Sequence, residues 1–105
     1  MRVLQAVHGW FPRHAGGTER YVAGLVRALV ATGDQVEILA GSDQPRERTA
    51  IHSETWEGVP LHRLYRNGLY LESWYHAYHP GAEAEIRALL ERLRPALIHL
   101  HHWKR

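Results

Sequence analysis

At 105 residues the chain has room for one small domain, and with 45% hydrophobic and 23% charged residues its composition is that of a globular protein. The absence of cysteine excludes a disulfide framework and thiolate metal sites. The formal charge of +2 rests on arginines scattered among acids, which excludes a basic stripe for a nucleic-acid backbone, and no apolar run is long enough to cross a bilayer.

Arg2 is followed by too few apolar residues for a secretory leader, so a cytoplasmic location is expected. Val3-Leu4-Gln5-Ala6-Val7 predicts a first strand buried on both faces. Thr18 to Thr32 predicts a helix, with Tyr21, Val22, Leu25, Val26, Leu29 and Val30 at the spacing of one helical face. Gly17 or Thr18 suits its start, and Gly33 suits the left-handed position after its end. Gln35 to Ala40 predicts a second strand, and the strand–helix–strand order makes a right-handed βαβ unit with a parallel sheet. Gly41 to Gly58 is polar and without period, and a loop is expected there. Val59 to Tyr65 predicts a third strand, which Pro60 restricts to a strand start or a sheet edge. Asn67-Gly68 marks a turn, and Leu69 to His79 is aromatic and ambiguous. Pro80 opens a second helix that buries Ala82, Ile86, Leu89, Leu90 and Leu93 and ends at Arg94-Pro95. Ala96 to Leu100 predicts a fourth strand, with no helix after it to cover it; a fragment of a longer protein or a covering partner is expected.

The segment most suggestive of chemistry is Gly9 to Arg20, between the first strand and the first helix. A glycine pair there, Gly16-Gly17, lets the backbone approach an anion, and the first N–H groups of the helix then point at it. The pattern is neither Gly-x-Gly-x-x-Gly nor a Walker A loop, so neither a dinucleotide fingerprint nor a P-loop is indicated. Glu19 falls in the first helical turn, where a carboxylate favours the helix dipole. His101 falls at the carboxyl end of the fourth strand, where open α/β sheets bind ligands. His99 shares its face one pair deeper and reads as structural, and His102 faces the other way. These imidazoles lack a nearby carboxylate in sequence, and no metal site is expected.

Trp10-Phe11-Pro12, Gly16-Gly17-Thr18-Glu19, Leu25 to Leu29, Thr32 to Leu39 and Arg94 to His102, taken in order, resemble the N-terminal domain of a GT-B glycosyltransferase of family 4, the retaining group that uses nucleotide sugars. The resemblance covers nearly the whole chain except Gly41 to Gly58. It implies an α/β, Rossmann-like, three-layer partial domain: a parallel sheet of about four strands in the order 3-2-1-4, with helices on both faces. Residues 1–105 would then be the first half of the acceptor-side domain, with the C-terminal donor-binding domain absent.

What the resemblance implies about chemistry is specific. Gly16 and Gly17 would meet the donor's diphosphate, and His101, matching the second histidine of the family's His-x-His, would lie near the reacting sugar. Trp10, Phe11 and Arg13 would border the acceptor, although packing of that loop onto the domain explains the two aromatics equally well. The aromatics from Tyr70 to Tyr78 would border an acceptor or touch a membrane surface, with partly buried packing the preferred reading. No cofactor or metal is implied beyond the nucleoside-diphosphate sugar. The implied partners are that donor, a carbohydrate or lipid-linked acceptor, and a further domain or another chain covering the fourth strand. The competing reading is a stand-alone α/β module that binds a phosphate-bearing ligand or another protein without catalysis.

Overall fold

Side-chain patterning lays down the sheet from its centre outward. The computed structural model describes residues 1–12, 15–42, 50–65 and 80–101, with backbone alone at residues 80–82. The elements are β1 (Arg2–Val7), α1 (Gly17–Ala31), β2 (Gln35–Gly41), β3 (Ala50–Trp56), β4 (Val59–Tyr65), α2 (Pro80–Leu93) and β5 (Leu97–His101). They form one five-stranded sheet in the order β3-β4-β2-β1-β5. β1 pairs in parallel with β2 and with β5, and β2 in parallel with β4, whereas β3 runs antiparallel to β4.

The first strand is buried on both faces as expected, because each helix covers one of them. Val7, Val36, Ile38, Ala40, Val59 and Leu61 meet Val22, Ala23 and Val26 of α1. Leu4, Ala6, Leu39 and Leu64 meet Leu89 and Leu93 of α2 on the opposite face. Right-handed crossovers that leave in opposite directions put their helices on opposite faces. Each fully buried aliphatic side chain in these two cores contributes about 1.5–3 kcal/mol.

The four expected strands do lie in the expected order, but the sheet differs from the sequence reading in count and in direction. Ala50–Trp56, within the segment expected to be a loop, is a strand, so there are five strands and the sheet is mixed. It joins β4 through a two-residue turn in which Glu57 and Gly58 both have positive φ, 49° and 80°. That is the backbone signature of the type I′ turns whose twist suits a hairpin. Pro60 lies at the start of β4, ahead of its pairing with β2, which begins at Leu61.

Helix α1 also exposes more than its sequence pattern suggested. Tyr21 is 65% exposed and Val30 48%, while Val22, Ala23 and Val26 are buried. Steps of four residues overshoot one turn by about 40°, so a stripe begun at Val22 has rotated outward by Val30. Gly33 has φ +88° and ends the helix as expected, with its N–H bonded to the Val30 carbonyl at 3.0 Å. Arg94, at φ 46°, follows α2 in the same manner. The turn at Asn67-Gly68, the aromatic segment and His102 lie outside the described residues.

Candidate functional site at the carboxyl rim of the sheet

Between β1 and β5 the chain's connections part. From β1 the chain leaves through α1 toward β2, while β5 arrives through α2 on the other face. A cleft opens at the carboxyl ends of such a strand pair, and ligands of open α/β sheets bind there. The start of α1 and the end of β5 both lie on this rim. Tyr21, one turn into α1 from Gly17, has its ring edge-on to His101 with centroids 6.2 Å apart.

Gly16 is the N-cap, in extended backbone at φ −81° and ψ −166°, and the Arg20 N–H closes the first turn onto its carbonyl at 3.1 Å. Having no side chain, it caps nothing. The N–H groups of the first turn of a helix have no intrahelical partner, so those of this turn point at the rim. Neither glycine of the pair has a positive φ, and a Cβ at Gly17 would meet no atom within 4 Å. The fold therefore does not require glycine at position 17; what the missing side chain does is leave the amides open.

Glu19 lies one turn along, only 4% exposed. One carboxylate oxygen is 3.4 Å from His8 Nε2, and the other would be 3.4 Å from a Cβ at Gly16. The sequence supported a dipole contact for Glu19; the structure adds burial and a partner. The signal was present in Gly16-Gly17-Thr18-Glu19, since an acid three residues after an N-cap is placed to fold back over it. His8 itself was not singled out from the sequence.

At the other side of the cleft His101 is 9% exposed, and its Nε2 lies 2.6 Å from Gln5 Oε1. An amide oxygen only accepts, so Nε2–H donates and the Nδ1 lone pair is left to accept from a hydroxyl. Burial lowers the pKa of His101, the neighbouring charge of His99 lowering it further, so the imidazole is neutral at neutral pH. Gln5 is a second residue the sequence reading passed over. Its signal was a lone amide in an apolar strand, since a buried polar group needs a partner. His99 shares the face of His101 as expected, with ring centroids 3.8 Å apart, but it is exposed rather than buried because nothing described covers β5. Leu97, Ile98 and Leu100 on the same strand are 49%, 48% and 64% exposed.

The acceptor-side residues fare differently. Trp10 is 0% exposed, with Phe11 and Trp56 against it at 5.3 and 5.1 Å, both edge-on. Of the two readings the sequence left open for Trp10, this burial favours packing: its ring belongs to the α1-side core. Its indole N–H has no hydrogen-bond partner among the described residues. Phe11 is half-buried and stacks on Trp56 at 6.1 Å, and its carbonyl accepts from Arg63. Packing thus accounts for both aromatics, and Arg13 lies outside the described residues. No group of three or more His, Cys, Asp or Glu among the described residues is arranged to hold a metal ion. No helix among them is long and apolar enough to cross a membrane.

A parallel-centred α/β sheet with a helix on each face, and a glycine turn and a histidine sharing its carboxyl rim, defines a Rossmann-like domain. The family model described as Glycosyl transferase 4-like domain matches residues 16–105, and the chain belongs to that family. Its function is accordingly of the glycosyltransferase type. No curated protein and no solved structure matched the chain.

Proposed function

We propose that this domain is the acceptor-side part of a retaining glycosyltransferase, which moves a sugar from a nucleoside-diphosphate sugar to an acceptor hydroxyl. The observation that supports the reading is that the first turn of α1, which follows Gly16, and His101 share the carboxyl rim, with Tyr21 of that helix edge-on to His101. The amides of Gly16 and Gly17 would receive the donor's diphosphate, with the helix dipole adding to the attraction. His101, neutral and with Nδ1 free to accept, would hydrogen-bond a sugar hydroxyl and fix the donor's orientation. The His8–Glu19 pair would hold the turn from beneath. Stabilising the departing diphosphate by fixed dipoles needs no metal.

On this reading Phe11 and Arg13 border a carbohydrate or lipid-linked acceptor, in a cytoplasmic enzyme that touches the membrane from its surface. A donor-binding domain or another chain would cover β5, which the exposure of Leu97, Ile98 and Leu100 favours. Residues 1–105 alone would bind the donor weakly and transfer nothing, because the nucleotide base is held by that second domain. The test is an in-frame fusion to a matching donor-binding domain, assayed for sugar transfer with Gly16→Val and His101→Ala. Both substitutions are expected to abolish most turnover. Unchanged turnover in either would remove that residue from the site, and robust transfer by residues 1–105 alone would overturn the half-site reading.

A further inference from the structure

On the α2 face of the sheet, away from the glycine turn, three side chains on three neighbouring strands form a hydrogen-bonded chain. Ser53 of β3 pairs in register with His62 of β4, and its Oγ lies 2.7 Å from His62 Nδ1. His62 pairs in turn with Leu39 of β2, and its Nε2 reaches diagonally to Glu37 Oε1 at 2.7 Å. The other carboxylate oxygen of Glu37 faces Arg2 Nε at 3.6 Å. His62 and Glu37 are buried, 5% and 9% exposed, while Ser53 is exposed.

The proton positions in this chain follow from the chemistry of its ends. A carboxylate has no proton to give, so His62 Nε2–H donates to Glu37. Nδ1 then carries the lone pair and accepts from the Ser53 hydroxyl. A hydroxyl donating to a buried imidazole, which is itself oriented by a buried carboxylate, is the arrangement of an activated nucleophile, its base and the group that positions the base. The glycosyltransferase reading uses none of these residues, and they sit on β2, β3 and β4 rather than at the β1–β5 rim.

We propose that Ser53 is an activated nucleophile that accepts acyl groups from small activated carboxylic esters, with His62 as general base and Glu37 as the residue that positions it. In the step, Ser53 Oγ bonds to the ester carbonyl carbon and the bond from that carbon to the leaving alcohol oxygen breaks. The hydroxyl proton passes to His62 Nδ1 and then to the departing oxygen, giving an acyl-serine and a free alcohol. The open strand surface around Ser53 suits a small ester with a good leaving group, which needs little binding.

The experiment incubates the 105-residue chain with p-nitrophenyl acetate and follows p-nitrophenolate release, intact mass and peptide mapping. The expected result is one acetyl group on Ser53, or continuous turnover in which water hydrolyses the acyl-serine to acetic acid and restores the hydroxyl, either being absent in Ser53→Ala. His62→Gln should slow the reaction about 100-fold or more, the contribution of a positioned base. Glu37→Gln, which keeps an acceptor for the imidazole but changes the proton arrangement, should slow it by up to about 10⁴-fold while circular dichroism shows the chain still folded. Should His62→Gln not fold, Ser53→Ala and Glu37→Gln decide, since Ser53→Ala leaves the buried His62–Glu37 pair in place and removes one hydrogen bond from an exposed residue. Acetylation confined to the N-terminal amine and Lys104, or Ser53 acetylated as fast in Glu37→Gln as in the unaltered chain, would overturn the proposal.

Discussion

Gly17→Ala separates a glycine needed by the fold from a glycine needed by a ligand. Gly17 is the first residue of α1, its φ is not positive, and a Cβ there would meet nothing within 4 Å. Alanine therefore fits the native backbone without strain and reduces the freedom of the unfolded chain, which stabilises a protein by about 0.4–1 kcal/mol. For a domain of this size that raises the melting temperature by roughly 2–8 °C. The same methyl group stands over the open amides and blocks the close approach of an anion. The assay is paired: a thermal melt by circular dichroism, and a titration with inorganic pyrophosphate followed at the Gly16 and Thr18 amides by nuclear magnetic resonance. The expected outcome is a more stable chain whose amide shifts with pyrophosphate are largely lost. A variant that melts lower, or that responds to pyrophosphate as the unaltered chain does, would refute the reasoning and leave the glycine pair as a plain turn.

Trp10→Ala should lower stability by about 3–5 kcal/mol in urea titrations, because its side chain is wholly buried; a loss below about 1 kcal/mol would mean that the loop is not part of the core. Gly33→Ala should destabilise by roughly 1–2 kcal/mol through backbone strain alone, since φ is +88° and no atom lies within 4 Å of a Cβ there; an unchanged melting temperature would contradict that geometry. His101 has a folded-state pKa below its unfolded value, so the unfolded chain binds its proton first. Its contribution to stability is full above about pH 6.5 and is lost as pH falls through the folded pKa, and His101→Gln should flatten that part of a stability–pH curve from urea melts. If the slope is the same with and without the imidazole, burial does not act on it as described.

How much of this was legible in the chain depends on how each residue is covered. β1, β2 and the two helices announce themselves because a buried strand or a helix stripe writes a period into the sequence. β3 does not, because Ile51, Ser53 and Thr55 on one face and His52, Glu54 and Trp56 on the other leave both faces mixed, as suits a strand at a sheet edge. Its hairpin turn uses Glu57-Gly58 rather than the asparagine–glycine pair that usually marks such turns. At the candidate site, Gly16, Gly17 and His101 could be singled out because strand ends and helix starts are where ligands of such sheets bind, and the structure places them on the carboxyl rim. The burial of Glu19 and the Gln5–His101 bond were not, since both arise from packing between residues distant in sequence or folded back across a turn. For Trp10 the sequence left packing and an acceptor border equally open, because an aromatic beside a site and an aromatic beneath it look alike until the covering residues are known.

The position of β1 between β2 and β5 has a kinetic corollary. Its partnership with β2 is local and closes a short loop through α1, whereas Gln5 and His101 are 96 residues apart. Pairings of that span form late, because chain entropy opposes them until most of the domain is in place. Until β5 arrives, one flank of β1 is an open template for stray chains. The glycine turn thus precedes His101 in time, and the two come to share one rim only when the molecule has finished assembling.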